Sequence, residues 1–191
     1  MSRSASDDDQ RLIQAVFGVV FFGVPHDGMK IESLIPMVGD GPNRFLIESL
    51  SHVNSQILTV QRRDFENALG EKGYSEVFCF YETLKSPTAK QVRMLDNHLS
   101  VQNTNFRQDK QGVWSMSGPL ELFVTKSSAT HARSWESGPE HICAIARTHS
   151  ELVRFRINDP QYNVVRQKLQ GLTRRALPSQ RPRRDPTVKC M

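Results

Sequence analysis

Residues 15–28, AVFGVVFFGVPHDG, constrain the fold more tightly than any other stretch of the chain. The run is too short to cross a bilayer, which takes about 20 apolar residues. Its valines and phenylalanines favour a strand buried on both faces. Pro25 cannot donate a ladder hydrogen bond and Gly28 frees the backbone, so the strand has to end in a turn there. That turn sets Pro25, His26, Asp27 and Gly28 at the carboxyl end of a core strand. Ligand-binding and catalytic groups gather along this edge in open parallel sheets, so the four residues are candidates for a pocket or strand-edge role. His26 is expected to buttress the edge or line the pocket rather than to transfer protons.

Downstream, helical and strand patterns alternate. Residues 29–42 carry Pro36 and the string GDGP and read as an irregular loop capping the substrate face; the Lys-Ser/Thr ending of a phosphate-binding loop is missing. Apolar residues at helical spacing (Phe45, Leu46, Leu50, Val53, Ile57, Val60, Phe65 and Leu69) predict one helix over 43–69 covering a face of the sheet, ended by Gly70 and Gly73. SEVFCFY at 75–81 reads as the next parallel strand and delivers Glu82 at its end. With the strand at 17–24 and the helix between, it makes a βαβ unit with a right-handed crossover, so that His26 and Glu82 end neighbouring strands on one edge. Short strands at 113–117 and 120–126 around Gly118 and Pro119 predict a hairpin. A last helix runs from Asp159 to about Leu177, capped by Asn158 or Asp159, with Pro160 in its first turn and Val164, Val165, Leu169 and Leu172 as its buried stripe. The fold class expected from this order is α/β.

Composition excludes several classes of function. At 191 residues and 38% hydrophobic, the chain holds enough apolar material for one domain with a sizeable core. Its net charge of +5 is concentrated: from Arg166 to Met191 eight Lys/Arg accompany one Asp, a net +7, which leaves −2 for residues 1–165. A near-neutral body with a Pro- and Arg-rich tail at 178–191 predicts a disordered basic terminus and no nucleic-acid partner. Cys79, Cys143 and Cys190 are odd in number and lack metal-ligand spacing, so they read as a reduced, intracellular set, with Cys79 a small core hydrophobe. No spacing of His, Cys, Asp and Glu suggests a metal, and no cofactor is implied; Asp7, Asp8 and Asp9 read as solvated charge in a flexible terminus. The start MSRSASDDDQ lacks the order of a secretory signal, so the protein is expected not to be secreted.

Four motifs carry a family resemblance. GVVFFGVPHDGM resembles the G-I-x-F-x-G-T-P-H-x-G segment of the lipase/esterase-like α/β-hydrolase family that includes the serine active-site-containing protein, in the form common in fungi. FCFYETL (78–84), LFVTKSSAT (122–130) and THSELVRFRINDPQY (148–162) follow in the family's order. The resemblance spans about Asp7 to Leu177 and implies the C-terminal part of an α/β-hydrolase domain over 15–177. It also implies a polar segment at 1–14 cut short from the connection after the nucleophile, and a cytoplasmic, mitochondrial or endoplasmic-reticulum-associated location. Residues 90–111 depart from the family pattern, either as a retained intron bordered at Val92 and Gln108 or as a surface insertion, tolerated because lengthening a loop costs little entropy. His98, within them, has no partner in sequence.

A serine hydrolase needs a nucleophile, a base, a carboxylate to orient the base, and donors for the oxyanion. In α/β-hydrolases the side chains follow the order Ser, acid, His. The resemblance makes His149, in THSELVRF, the general base and Glu82 the orienting acid. The nucleophile elbow G-H-S-x-G-G lies upstream of the VVFFGVPH strand in the family, and no G-x-S-x-G string occurs in these 191 residues. Ser2, Ser4 and Ser6 sit in no strand-to-helix turn and are not expected to substitute. His131 and His141 read as loop residues. The expectation is a truncated or degenerate lipase/esterase-like domain, inactive alone, whose substrate would be an acyl ester or lipid once completed. The alternative is a non-catalytic module binding a protein or membrane surface, with a protein partner at the strand edge left open beside residues 17–24.

Overall fold

A computed structural model describes residues 6–54, 56–69, 75–92, 108–109, 112–133 and 135–176. Among the described residues, helix α1 (Asp7–Ala15) comes first, followed by strand β1 (Gly18–Phe22), the short helices α2 (Ile35–Val38) and α3 (Arg44–Ser49), and helix α4 (Gln56–Leu69). Strands β2 (Glu76–Glu82), β3 (Ser86–Pro87), β4 (Lys90–Val92), β5 (Gln108–Asp109), β6 (Gly112–Ser115) and β7 (Leu120–Glu121) come next. Helix α5 (Lys126–Thr130), strand β8 (Ile142–Ile145) and helix α6 (Pro160–Ala176) complete the order. The fold is mixed α/β, built on a parallel three-stranded sheet of order β1-β2-β8. Gly18 pairs with Glu76 and Phe22 with Phe80, and Cys79 pairs with Ile142 and Glu82 with Ile145.

Period-two alternation along β2 divides the core between two layers of helix. Val77 and Cys79 face α4, where they pack with Val19, Phe21, Phe65 and Leu69. Phe78 and Phe80 face α6 and pack with Ile145, Leu152, Val165 and Leu172. Phe80 has no exposed surface, and its ring stacks on Phe22 with centroids 4.7 Å apart. Cys79 is buried, and burial pushes its thiol up to about 12, as expected of a core hydrophobe. A third cluster of Met29, Ile31, Phe123, Val124 and Ala129 closes the carboxyl edge of the sheet beneath α2 and α3.

Several sequence expectations are corrected. Asp7, Asp8 and Asp9 form the first turn of α1, where Ser6 and Asp9 make a reciprocal capping box; acids there complement the helix dipole. The single helix expected over 43–69 is two helices, separated by a 3-10 turn at His52–Asn54. The break arises because Leu50 gives its carbonyl to the Met29 N–H at 2.7 Å and Ser51 bridges to Met29. Five of the eight apolar residues of that pattern, Phe45, Leu46, Val53, Ile57 and Val60, are exposed. Within the loop expected at 29–42, residues 35–38 are helical, with Pro36 in the first turn.

The hairpin expected at 113–126 does not form. β6 pairs antiparallel with β4 and β5, whereas β7 pairs with β3. Gly118 and Pro119 instead lie along Thr88, which takes the Gly118 N–H at 2.9 Å and donates its own to Pro119 at 3.0 Å. Helix α6 is capped by Asp159, whose Oδ1 accepts the Gln161 N–H at 2.9 Å. Its buried residues are Val165 and Leu172, while Leu169 is exposed. The expected insertion at 90–111 is described only at β4 and β5, and His98 and the tail at 178–191 lie outside the described residues.

Candidate active site

Strand β2 ends at Glu82, which packing drives inward: its side chain is 1% exposed. A carboxylate withdrawn from water needs its oxygens occupied. Oε1 accepts the backbone N–H of Val124 at 3.1 Å, and Oε2 lies 2.6 Å from Nδ1 of His149. Adjacent strand β8 carries the chain to Arg147, whose carbonyl accepts the Leu84 N–H at 3.1 Å and whose guanidinium pairs with Asp159 at the start of α6. Thr148 then starts a 3-10 turn at His149–Glu151, anchored by buried Leu152.

His149 is held on every side but one. Its backbone N–H donates to Ser86 Oγ at 3.3 Å, and the Phe123 ring meets the imidazole edge-on with centroids 6.3 Å apart. Beneath the ring lies Gly23, at the end of β1. With φ at +59° it occupies the left-handed region, and a Cβ there would stand 3.3 Å from both Cε1 and Nδ1 of His149. The imidazole thus reaches from the end of β2 across the end of β1. Among the described residues no hydrogen bond engages Nε2, and the side chain is 32% exposed. A buried acid on Nδ1 with Nε2 open to a reactant is the arrangement of a general base.

The PHDG turn forms a second polar cluster beside this pair. Asp27 Oδ1 accepts from Arg62 Nη1 at 2.7 Å, and Oδ2 contacts His131 Nδ1. Its backbone N–H donates to Ser128 Oγ at 3.1 Å, and its carbonyl meets His52 Nδ1 at 2.8 Å. Here the carboxylate already neutralises a guanidinium, so it has less charge to give an imidazolium than Glu82. His131, expected as a loop residue, is therefore part of a structural knot that caps α5. His141, also expected in a loop, precedes β8 and places Nδ1 3.2 Å from the Val77 carbonyl.

His26 sits edge-on to Phe21, with centroids 4.7 Å apart, and its buried Nε2 has no hydrogen-bond partner among the described residues. Burial pulls its ring down to about 4, helped by Arg62 and His131 and opposed by Asp27. Gly28 takes φ +88° against the backbone of Ser51 and His52, and Pro25 is half-buried, accepting the Gly28 N–H at 3.1 Å. Turn geometry accounts for Pro25 and Gly28, and the contacts with Arg62 and His131 hold Asp27.

Sequence reading missed Val124, Ser86 and Gly23, each of which acts on the Glu82–His149 pair. Val124 and Ser86 contribute through a backbone amide and a hydroxyl brought in by long-range pairing, which leaves no local pattern. Gly23 is visible in FFGVP, but its need for a missing Cβ emerges only when His149 is folded over it. A cavity of about 520 Å³ is lined by Phe123, whose ring meets that of His149, and by Lys30, Glu32, Ser33, Thr88 and Glu121; neither Glu82 nor His149 is in its lining. A cavity of similar size, about 540 Å³, lies at the amino ends of β2 and β8 beside α6, remote from His149 in the fold. Among the described residues no group of three His, Cys, Asp or Glu side chains is placed to hold a metal, and no helix is long and apolar enough to cross a membrane.

Comparison of the chain with protein-family models, curated proteins and solved structures finds no match.

Proposed function

We propose that this chain carries the acid–base half of a serine-dependent ester hydrolase of the lipase/esterase-like α/β-hydrolase kind, and is inactive alone. One observation supports this reading above the others: the 2.6 Å contact between His149 Nδ1 and the buried Glu82 carboxylate, at the carboxyl edge of a parallel sheet. Glu82 fixes the ring with its proton on Nδ1, leaving the Nε2 lone pair to take a proton from an attacking hydroxyl and return it to the leaving alcohol. Glu82 then stabilises the imidazolium formed between the two transfers. The attacking hydroxyl has to come from a segment supplying the strand-to-turn elbow that this sequence lacks. The completed site would act on acyl esters, lipid esters included, inside the cell in the cytoplasm or at mitochondrial or endoplasmic-reticulum membranes.

Hydrolysis of short-chain aryl esters tests the reading. The purified chain is expected to match His149→Ala at background rate and to take no label from a fluorophosphonate, because removing a triad member costs several orders of magnitude. Turnover that depends on His149, or a labelled serine, would show that the nucleophile is present and overturn the half-site.

The outer edge of β1, the end strand in the order β1-β2-β8 and unpaired among the described residues, favours a second reading as an interaction module. A soluble, defined oligomer that loses its order when Val20 is replaced by Pro would support it; a monomer would not.

A further inference from the structure

Resting on the acid–base reading of Glu82 and His149, we propose that Ser128 is a positioning residue for that pair, acting through helix α5. Its place in the fold is unusual for a serine: it is 1% exposed and its hydroxyl is fully used. Oγ accepts the Asp27 N–H at 3.1 Å and donates to the Gly28 carbonyl at 2.7 Å, stitching α5 to the turn that ends β1. The backbone N–H of Ser128 donates in turn to Thr125 Oγ1 at 3.2 Å, which caps the start of α5. Thr125 follows Val124, the residue whose N–H holds Glu82 Oε1. One short helix therefore carries the donor to the acid at its entrance and the bond to the PHDG turn at its centre.

The consequence for His149 is geometric. Glu82 divides its oxygens between Val124 and His149, so a displacement of the 123–125 backbone rotates the carboxylate away from Nδ1. Phe123 moves with that backbone and forms the edge contact with the imidazole. Hydrogen-bond strength falls steeply as alignment is lost, so loosening α5 weakens the acid–base contact without touching either partner. The Arg62–Asp27–His131 knot alone does not fix the helix entrance, because His131 lies at its exit.

Nitrogen-resolved NMR of the imidazole of His149 in the full chain tests this. In wild type the neutral ring is expected as the Nδ1–H tautomer. Ser128→Ala should shift it toward a tautomer mixture and speed exchange of the Nδ1 proton about tenfold, the fold-change expected for one weakened buried hydrogen bond. Asp27→Asn, which keeps the backbone N–H that Ser128 accepts, should leave the tautomer in place. If Ser128→Ala does not fold, Thr125→Ala, at the same helix entrance, is expected to give the mixture, and Thr125→Ser to restore the single tautomer. An unchanged tautomer and exchange rate in whichever of Ser128→Ala and Thr125→Ala is folded overturn the proposal. A wild-type ring lacking the Nδ1–H preference sinks the acid–base reading itself, a separate result.

Discussion

His149 rests directly on Gly23: a Cβ at position 23 would lie 3.3 Å from two atoms of the imidazole and 2.5 Å from Leu152 Cδ1. The backbone there has φ +59°, so an L side chain meets strain in addition to the clash. Gly23→Ala is expected to destabilise the fold by roughly 1–3 kcal/mol and to shift the ring resonances of His149. Denaturant melts with imidazole spectra check both; a neutral substitution with an unmoved ring contradicts the close approach.

A larger loss is expected at the centre of the core layer that faces α6. Phe80 is fully buried and touches Phe22 and Phe78, with centroids 4.7 and 4.9 Å away. Phe80→Ala removes that surface and leaves a cavity, at a cost of about 3–5 kcal/mol. Against a total of about 5–15 kcal/mol for a domain, the variant should unfold at much lower denaturant or not fold at all. A shift of the midpoint no larger than that of an exposed substitution such as Leu169→Ala would place Phe80 outside the core.

Acid should weaken the fold through His26. Burial lowers its folded value from 6.5 to about 4, so between those values the unfolded chain binds a proton that the folded chain refuses. Its contribution is intact above about pH 6.5, falls as pH drops, and is fully lost near pH 4. His26→Phe, which keeps the contact with Phe21 and removes the titrating ring, is expected to flatten the stability profile between these limits. An equally steep profile in the variant would assign the acid sensitivity elsewhere.

The parts of the fold written in local patterns were legible in the sequence. The run GVVFF and the string EVFCFYE pair as adjacent parallel strands, and the Pro-Gly punctuation marks the turn; burial on both faces holds for β2, whereas β1 is only half-buried with Gly18 exposed, against the expectation for that strand. Glu82 and His149 were identified through the family resemblance; the structure places them 2.6 Å apart across 67 residues of chain. Periodicity misled over 43–69, where Phe45, Val53 and Val60 follow helical spacing but face outward, because spacing alone does not tell which stripe meets the sheet. The hairpin at 113–126 was misread for a related reason: β6 and β7 find partners in β4 and β3, and pairing of short strands is decided by tertiary contacts.

The account stands most directly on the proton carried by His149. Nitrogen shifts of its imidazole, measured at a pH where the ring is neutral, report which nitrogen holds that proton. The predicted result is Nδ1–H in the wild type and a shift toward Nε2–H in Glu82→Gln, whose amide turns a donor toward Nδ1. A wild-type ring already protonated on Nε2, or one indifferent to Glu82→Gln, would contradict the claim that Glu82 sets His149 as a base.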